Sequence, residues 1–281
     1  MAEGRNSIII SIFSTSSGNG KTVTAINLAA SLAKEGYAVC LVDLDLQFGD
    51  VTHYLKLEPK YTITDVQMAL ANKEPNFDVL NYLTRYEHVE DAGNGVEFFV
   101  LARPPLIFDA YEIEVPVVEY ILNSLKWFDF VVVDLNAAFS ALNLAVLDVS
   151  TIINYLGVVD FLPSVKNFKI GYDTLLRFEY EESKIRLVEN RSNSQKLISG
   201  EDVERLIGNK FYHRLPNDFR SVSKSVNAGL PLMFSSPEAD ITKSFLQLAA
   251  EYTNKQTAEK DTPVVEENKG FFARLLSKFF G

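Results

Sequence analysis

Five consecutive residues, GNGKT at positions 18–22, are of the types that hold a nucleotide phosphate. Glycines let backbone N–H groups curl around phosphate oxygens, and a helix that begins there adds a field that favours an anion. Lys21 would reach the β- and γ-phosphates, and Thr22 would hold Mg²⁺. The longer pattern G-x-x-x-x-G-K-[ST] is incomplete, because Thr15 stands at its first glycine. Whether this loop binds phosphate therefore depends on the strand before it, the helix after it and the acidic residues elsewhere in the chain.

Acidic residues follow two later strand-like runs. LVDLDLQFGD supplies Asp43, Asp45 and Asp50, and VVVDLNAAF supplies Asp134. Carboxylates at the C-terminal edge of a parallel sheet face the crevice where such sheets bind ligands, so they can reach Mg²⁺ or orient an attacking water. The alternative is that each aspartate only caps a turn or the next helix. Together with GNGKT, they predict binding of Mg²⁺ and ATP.

Alternating strand-like and helical patterns must position these residues. Short apolar runs typical of buried strands lie at 7–13, 38–43, 96–101, 128–134, 151–158 and 184–189. Helical patterns lie at 22–35, 117–126, 165–178, 200–207, 219–227 and 238–252. The alternation predicts an α/β fold, a mostly parallel sheet with helices on both faces.

Composition narrows the class of protein. The 281 residues carry a net charge of −10, so the body as a whole should repel nucleic acid and anionic lipid. The single cysteine, Cys40, excludes disulfides within the chain and zinc-cysteine clusters. The first residues do not resemble a signal peptide, and the apolar stretch 137–163 is too often interrupted by polar residues to span a membrane. We expect a cytoplasmic protein.

The composition changes after Tyr252. We predict a nucleotide-binding domain over residues 1–252, a polar flexible linker over 253–268, and an amphipathic helix over 269–281.

The final segment, KGFFARLLSKFFG, has its large apolar residues on one helical face. The predicted membrane contacts are Phe271, Phe272, Arg274, Leu275, Leu276, Lys278, Phe279 and Phe280. A basic amphipathic end after an acidic linker is typical of an interfacial helix on an anionic membrane. Two alternatives stay open: the segment docks on its own body, or it inserts into a groove of a partner.

Four segments of the chain resemble the MinD/ParA superfamily of P-loop ATPases with a deviant Walker A motif, and they occur in the same order as in that family. They are the GNGKT loop, VDLDLQFGDVTHYL, FDFVVVDLNAAF and LPNDFRSVSKSVNAGLPL. DLDLQFGDVTHYLKLEP and the LPND segment are most similar to the CpaE/TadZ pilus-positioning branch, and the C-terminal end is similar to the membrane-targeting helix of MinD. The resemblance implies a MinD-like fold of the SIMIBI class.

The resemblance also implies roles for individual residues. Asp45 would position the attacking water, with Lys21 as the second catalytic group, and Thr22, Asp45 and Asp134 would surround Mg²⁺. The nucleotide contacts implied are Ser16, Ser17, Gly18, Asn19, Gly20, Lys21, Thr22, Val23, Asn190, Leu215, Pro216 and Asn217. In the family, the position of Asn190 reads the purine base, and the loop that contains the last three of these residues lines the adenine.

The sequence departs from the family motif K-G-G-x-G-K-[ST]. Ser16 replaces the lysine that reaches the phosphates of the partner in the ATP-bound dimer, and Ser17 replaces the next glycine. A cation supplied in trans to phosphoryl transfer contributes about 10³ to 10⁵ in rate. We therefore expect ATP binding with slow or lost hydrolysis. Lys166 either substitutes for the missing cation or is a solvated surface lysine.

The function expected from these features is that of an ATP-dependent, dimerising, peripheral membrane protein that recruits a client machine. The client would belong to a pilus or secretion system, a flagellum or the division apparatus. The alternatives are a ParA-like partition protein that binds the nucleoid, a P-loop small-molecule transferase, and a scaffold that binds no nucleotide. Nucleic acid is the less expected partner because of the acidic body.

Overall fold

A computed structural model describes residues 7–89, 95–193 and 199–259, with side chains as far as residue 253. Its strands are β1 (Ile8–Phe13), β2 (Val39–Leu44), β3 (Thr84–Val89), β4 (Gly95–Leu101), β5 (Phe130–Leu135), β6 (Ile152–Val158), β7 (Ile185–Asn190) and β8 (His213–Leu215). They form one sheet in the order β3-β4-β2-β5-β1-β6-β7-β8.

Eleven α-helices connect and cover these strands in the described part of the chain. They are α1 (Lys21–Lys34), α2 (Val51–Leu55), α3 (Ile63–Ala71), α4 (Ile107–Glu112), α5 (Val115–Ser124), α6 (Ala141–Val149), α7 (Leu162–Arg177), α8 (Gly200–Ile207), α9 (Phe219–Ala228), α10 (Leu232–Ser235) and α11 (Asp240–Glu259).

The sheet is parallel except at one edge, which confirms the predicted architecture. β1 lies at its centre, between β5 and β6. The exception is β3, which pairs antiparallel with β4. This strand lies at the edge of the sheet. Its sequence, TRYEHV, mixes charged and apolar residues, so it lacks the continuous apolar pattern of a buried strand.

Hydrophobic layers cover both faces of the sheet. On one face, Ile10 and Ile12 of β1 pack in a cluster with α1, α10 and α11. On the other face, Phe13 and neighbouring strand residues pack against α3, α5, α6, α7 and α8. Because all the strands except β3 run in the same direction, the loops that leave their C-terminal ends meet at one edge of the sheet.

Side-chain caps fix the starts of α6 and α9 at that edge. Ser140 Oγ accepts a hydrogen bond from Asn143 N at the start of α6, over 3.2 Å. Asp218 Oδ1 accepts one from Ser221 N at the start of α9, over 2.9 Å. Such caps satisfy N–H groups that have no partner inside the helix, so both helix starts are fixed.

The six predicted strands and six predicted helices all occur, with shifted ends. The largest shift is at the C-terminal end, where α11 continues to Glu259. The domain boundary at residue 252 is therefore too early, because the first residues of the predicted linker extend this helix. Residues 260–268 and the predicted helix 269–281 lie outside the described residues, including the eight predicted membrane contacts. Among the helices that are described, none is both long enough and apolar enough to cross a bilayer.

Candidate nucleotide site

The loop between β1 and α1 has the backbone conformation of a phosphate loop. Gly18 and Gly20 have φ values of +76° and +84°, a region that other residues adopt only with strain. A Cβ at Gly20 would also lie 2.5 Å from Asn190 Nδ2. The chain therefore needs glycine at this position both for its backbone angle and for the close approach of Asn190.

The start of α1 places the predicted lysine and threonine at the sheet edge. Lys21 is largely buried at the first helical position. Thr22 Oγ1 donates a hydrogen bond of 2.6 Å to Asp134 Oδ2 at the end of β5. The loop is thus connected to the acidic strand end, as the sequence predicts.

Two buried carboxylates lie side by side behind Thr22. Asp43 and Asp134 are register partners on β2 and β5. Burial, together with the charges of Asp45 and Asp50, raises the pKa of Asp134 to about 7, although the hydrogen bond from Thr22 and the charge of Lys21 act to lower it. Burial and Asp134 raise the pKa of Asp43 well above its usual range. A positive charge at this place would favour the ionised form of both groups.

The donor set fits a divalent cation. One oxygen of Asp43 and one of Asp134 are buried without a hydrogen-bond partner among the described residues. Hydroxyl and carboxylate oxygens are the ligands that Mg²⁺ prefers. Thr22 and Asp134 would hold the ion, directly or through water, and the ion would neutralise charge on the phosphates. Asp45 lies farther out, on the wall of the cleft.

Thr15, at the position of the missing Walker glycine, has a structural role. Its Oγ1 donates to the carbonyl oxygen of Asn167 in α7 over 3.2 Å and lies 2.9 Å from the Tyr155 hydroxyl. A Cβ at Gly171 would overlap both the Tyr155 hydroxyl and the Thr15 methyl group. The threonine therefore fastens the loop to β6 and α7, and the glycine in α7 leaves room for it.

The loop after β2 borders the cleft beside the carboxylates. Asp45 O accepts a hydrogen bond from Gly49 N over 2.6 Å. A Cβ at Gly49 would overlap the Asp43 carboxylate, so this loop lies directly on the buried acids. Arg103, after β4, donates to Gly49 O over 2.6 Å. The exposed Phe48 forms part of the cleft wall.

The far end of the cleft contains the residues predicted to contact the base. Asn190 Nδ2 donates to Asn19 O over 2.8 Å, so its amide is engaged with the phosphate loop. Pro216 and Asn217 line the cleft. Leu215 is completely buried at the end of β8, so its side chain faces the core and not the cleft, contrary to the predicted contact.

Together these elements enclose a cleft of about 1170 Å³. The predicted residues that line it are Ser17, Gly18, Gly20, Lys21, Thr22, Val23, Asp45, Asn190, Pro216 and Asn217. The predicted residues that do not line it are Ser16, Asn19, Asp134 and Leu215. Lys166 is exposed on α7 and is also absent from the lining. The volume is above the usual range of roughly 300–1000 Å³ for a small-molecule site.

Several lining residues were not predicted. Arg191 directly follows Asn190, and its guanidinium donates to Gly18 O over 3.3 Å. Phe219 follows the LPND segment and is 78% exposed at the cleft. Arg191 and Phe219 lie within two residues of predicted contacts in the sequence. That proximity is the only feature of the sequence that indicates a place at the cleft for them. Asn136 and Ala138, in the loop after β5, also line the cleft.

Comparison with known proteins identifies the family. Residues 10–232 match the CobQ/CobB/MinD/ParA nucleotide binding domain. This chain belongs to that family. The match includes the phosphate loop, both acidic strand ends and Asn190, so the resemblance to the MinD/ParA superfamily is confirmed. The assignment to the CpaE/TadZ branch stays a prediction.

Individual family members are similar along most of their length. The chloroplastic septum site-determining protein minD homolog of Arabidopsis thaliana is 26% identical over 99% of this chain and 83% of its own. The ParA family ATPase of Chlorobium tepidum superposes with a TM-score of 0.75, at 21% identity, over 86% of this chain and 98% of its own. The septum site-determining protein MinD of Pyrococcus horikoshii, solved with Mg-ADP, has a TM-score of 0.72 at 19% identity, over 91% of this chain and 100% of its own. At these identities the solved structures show that the MinD/ParA fold is shared.

Proposed function

We propose that this MinD/ParA family member binds Mg·ATP in the cleft and pairs with a second copy when ATP is bound. The paired form attaches to the inner face of the cell membrane through residues 269–281 and recruits a protein client. The observation that supports nucleotide binding most directly is the 2.6 Å hydrogen bond from Thr22 to the buried Asp134, beside Lys21 and the two left-handed glycines. The septum-determining roles in the names of two relatives support a function in positioning.

The residues of the cleft suit ground-state binding better than fast turnover. Loop N–H groups and Lys21 contact phosphate in the bound state, and Thr22 and Asp134 suit the metal. Asp45 lies on the cleft wall, where its carboxylate would orient an attacking water. The serine at position 16 has no charge, and its carbonyl accepts a hydrogen bond from Ser14 Oγ over 2.7 Å. We therefore propose slow ATP hydrolysis or none.

A substitution of Lys166 tests whether this lysine supplies the cation for ATP hydrolysis that Ser16 lacks. If this exposed lysine supplies the missing cation to a second copy, Lys166→Ala lowers phosphate release and ATP-dependent dimerisation together. Unchanged values for both would exclude that role. Lys169 is the matched control, because it lies on the same helix but pairs with Asp173 over 3.0 Å.

Two copies strengthen attachment to the membrane. The last segment carries three cations, Lys269, Arg274 and Lys278, each worth about 1 kcal/mol near anionic lipid, and burying its six large apolar side chains about halfway adds roughly 5–9 kcal/mol. Ordering a short helix opposes this gain by about 1–2 kcal/mol per residue, so one copy binds weakly. Two copies on one dimer gain about 10²-fold in avidity. Stable membrane binding then requires the dimer, and the dimer requires bound ATP.

Two arginines near α8 and β8 are engaged in ion pairs, which argues against DNA binding through them. Arg214 pairs with Glu189 over 2.9 Å and with Glu204 over 2.7 Å. Arg205 pairs with Asp202. These pairs neutralise the cations that a nucleic acid would need. Retention on a DNA column that falls steeply with salt would reverse this conclusion.

Vesicle flotation tests the proposed function. The full chain with Mg·ATP should float with vesicles of phosphatidylglycerol and phosphatidylcholine, and should float less with Mg·ADP or with pure phosphatidylcholine. A chain that lacks residues 269–281 should stay at the bottom. Equal flotation of the full and shortened chains would contradict the membrane role.

A further inference from the structure

The first turn after β4 exposes an unusual group of apolar side chains. Phe108 is 84% exposed and Tyr111 is 70% exposed, and Leu106 and Ile107 beside them are also exposed. No residue of α4 is buried. We call these four residues the α4 patch. Contiguous apolar surface of this kind usually marks a binding site.

The α4 patch is held firmly in place. Gln67 of α3 donates to Glu112 O over 2.7 Å and accepts from Glu114 N over 2.9 Å, which fixes the end of α4. Arg103, just before the patch, is bonded to Gly49 O in the loop that borders the nucleotide cleft. The exposure is therefore a property of an anchored segment, and that segment is joined to the candidate nucleotide site.

Charges around the α4 patch have one sign. Asp109, Glu112, Glu114 and Glu119 lie on or beside it, and residues 104–125 contain no lysine or arginine. An apolar surface with an acidic rim is complementary to an amphipathic helix with basic residues.

The chain itself contains a segment with that chemistry. Residues 269–281 carry six large apolar side chains with helical spacing, together with three cations and no acid. We propose that the α4 patch binds residues 269–281 of a second copy of this chain. The bound state holds the segment away from the membrane.

Chain length favours a second copy over the same copy as the source of the segment. α11 begins at the cleft, where Ile241 and Phe245 line the wall, and runs about 28 Å towards the opposite edge of the sheet. It lies on the face of α1, whereas α4 lies beyond the C-terminal end of β4 on the other face. Strand length and spacing put the two places roughly 40 Å apart. Residues 260–268 reach at most about 31 Å when fully extended, so a second copy can place the segment on the patch with less extension of the chain than the same copy can.

This arrangement would make membrane attachment depend on the candidate nucleotide site, and in that respect it rests on the proposed function. Arg103 connects the patch to Gly49, which lies against the Asp43 carboxylate. A loop that moves when nucleotide binds would move Arg103 and the patch with it. Membrane lipid and the α4 patch then compete for the same apolar face of residues 269–281.

Disulfide trapping tests the assignment, because the only natural cysteine, Cys40, is buried. A full chain with Leu106→Cys is mixed with a full chain of different mass that carries Ser277→Cys. The matched control for the first chain is Ser183→Cys, an exposed position beside Glu181 and Glu182 with no apolar patch. Under mild oxidation, we expect the mixed disulfide with Leu106→Cys to form at least about tenfold faster than with the control.

A second variant separates specific docking from random collision. Adding Phe108→Ser to the Leu106→Cys chain should reduce the trapping rate to that of the control. Equal rates for Leu106→Cys and Ser183→Cys would overturn the proposal and assign the patch to a different partner.

Vesicles distinguish this inference from the proposed function. Phosphatidylglycerol vesicles should slow the trapping if the segment also binds membrane. Fast trapping that vesicles do not change, in a chain that fails to float, would support the α4 patch as the binding site and contradict the membrane role. Trapping needs neither ATP nor lipid, so the two proposals can fail separately.

Discussion

The two ends of the cleft are built differently. At the phosphate end, glycine backbone angles, the buried Lys21 and the bond from Thr22 to Asp134 are fixed by one strand, one helix and a neighbouring strand. At the base end, Pro216, Asn217 and the exposed Phe219 lie on a connection between β8 and α9. At the phosphate end Lys21 and Asp134 are buried, whereas Phe219 at the base end is 78% exposed.

This difference indicates which end of the cleft contributes more to the free energy of nucleotide binding. Buried groups with unsatisfied oxygens gain most from a ligand that pairs with them, since leaving them unpaired costs about 1–3 kcal/mol each. Exposed side chains at the base end start with water as a partner and gain less. We therefore expect changes at the phosphate end to have the larger effects on nucleotide affinity.

Among the variants that weaken binding without abolishing it, Thr22→Val has the largest expected effect. The change removes a possible metal ligand and leaves Asp134 without its 2.6 Å hydrogen bond, so affinity for Mg·ATP should fall about 100-fold. Thr24→Val is the control, because the Thr24 hydroxyl is buried on the same helix without a partner among the described residues. Calorimetric titration of both variants checks this, and a similar loss in both would contradict the assigned role of Thr22.

The pH dependence of stability tests the buried acids next. The pKa of Asp134 is about 7 in the folded chain and near 3.8 when unperturbed, so between these values the folded state binds the extra proton. The free energy of unfolding without metal or nucleotide should therefore decrease as pH rises, by up to about 1.4 kcal/mol per pH unit. Asp134→Asn removes this contribution. Urea unfolding at pH 5 and pH 7 measures it, and parallel pH profiles for the two proteins would disprove it.

A pair of glycines separates backbone strain from site geometry. Gly20→Ala and Gly36→Ala both place a side chain at positive φ, so each should lower the free energy of unfolding by about 1–2 kcal/mol. Only the Cβ at Gly20 meets Asn190, at 2.5 Å, whereas Gly36 faces open space. Affinity for Mg·ATP should fall about tenfold in Gly20→Ala alone. Equal affinity in both variants would show that the contact with Asn190 is unimportant.

The smallest effect is expected at the base end. Phe219→Ala should weaken ATP binding by about three- to tenfold, because an exposed aromatic side chain at the cleft contributes modest stacking. Binding of inorganic tripolyphosphate should not change. Trp127→Ala is the control, since Trp127 is 68% exposed just before β5. A loss of tripolyphosphate binding in Phe219→Ala would mean that the two ends are not independent.

Sequence reasoning was most successful where the chemistry is local in the chain. GNGKT contains its own glycines, cation and hydroxyl, and Asp134 follows an unmistakable apolar strand, so the phosphate end was predicted with its parts in order. Most of the fold was predicted for the same reason, because buried parallel strands have continuous apolar runs.

The features that were missed depend on contacts between distant residues. Thr15 meets Tyr155 across 140 positions, and nothing at either position indicates the other. The antiparallel β3 depends on pairing with β4, and the burial of Leu215 depends on where β8 joins the sheet. The contact between Arg103 and Gly49, which links α4 to the cleft, is of the same kind.

The most direct test of the account is a calorimetric titration of Mg·ATP into the full chain, with Lys21→Met as the control and sedimentation velocity in parallel. We predict saturable heat and a shift from monomer to dimer for the natural chain, and neither for Lys21→Met. If the natural chain gives no heat, or if Lys21→Met binds equally well, the cleft between the phosphate loop and Asp134 is not the nucleotide site.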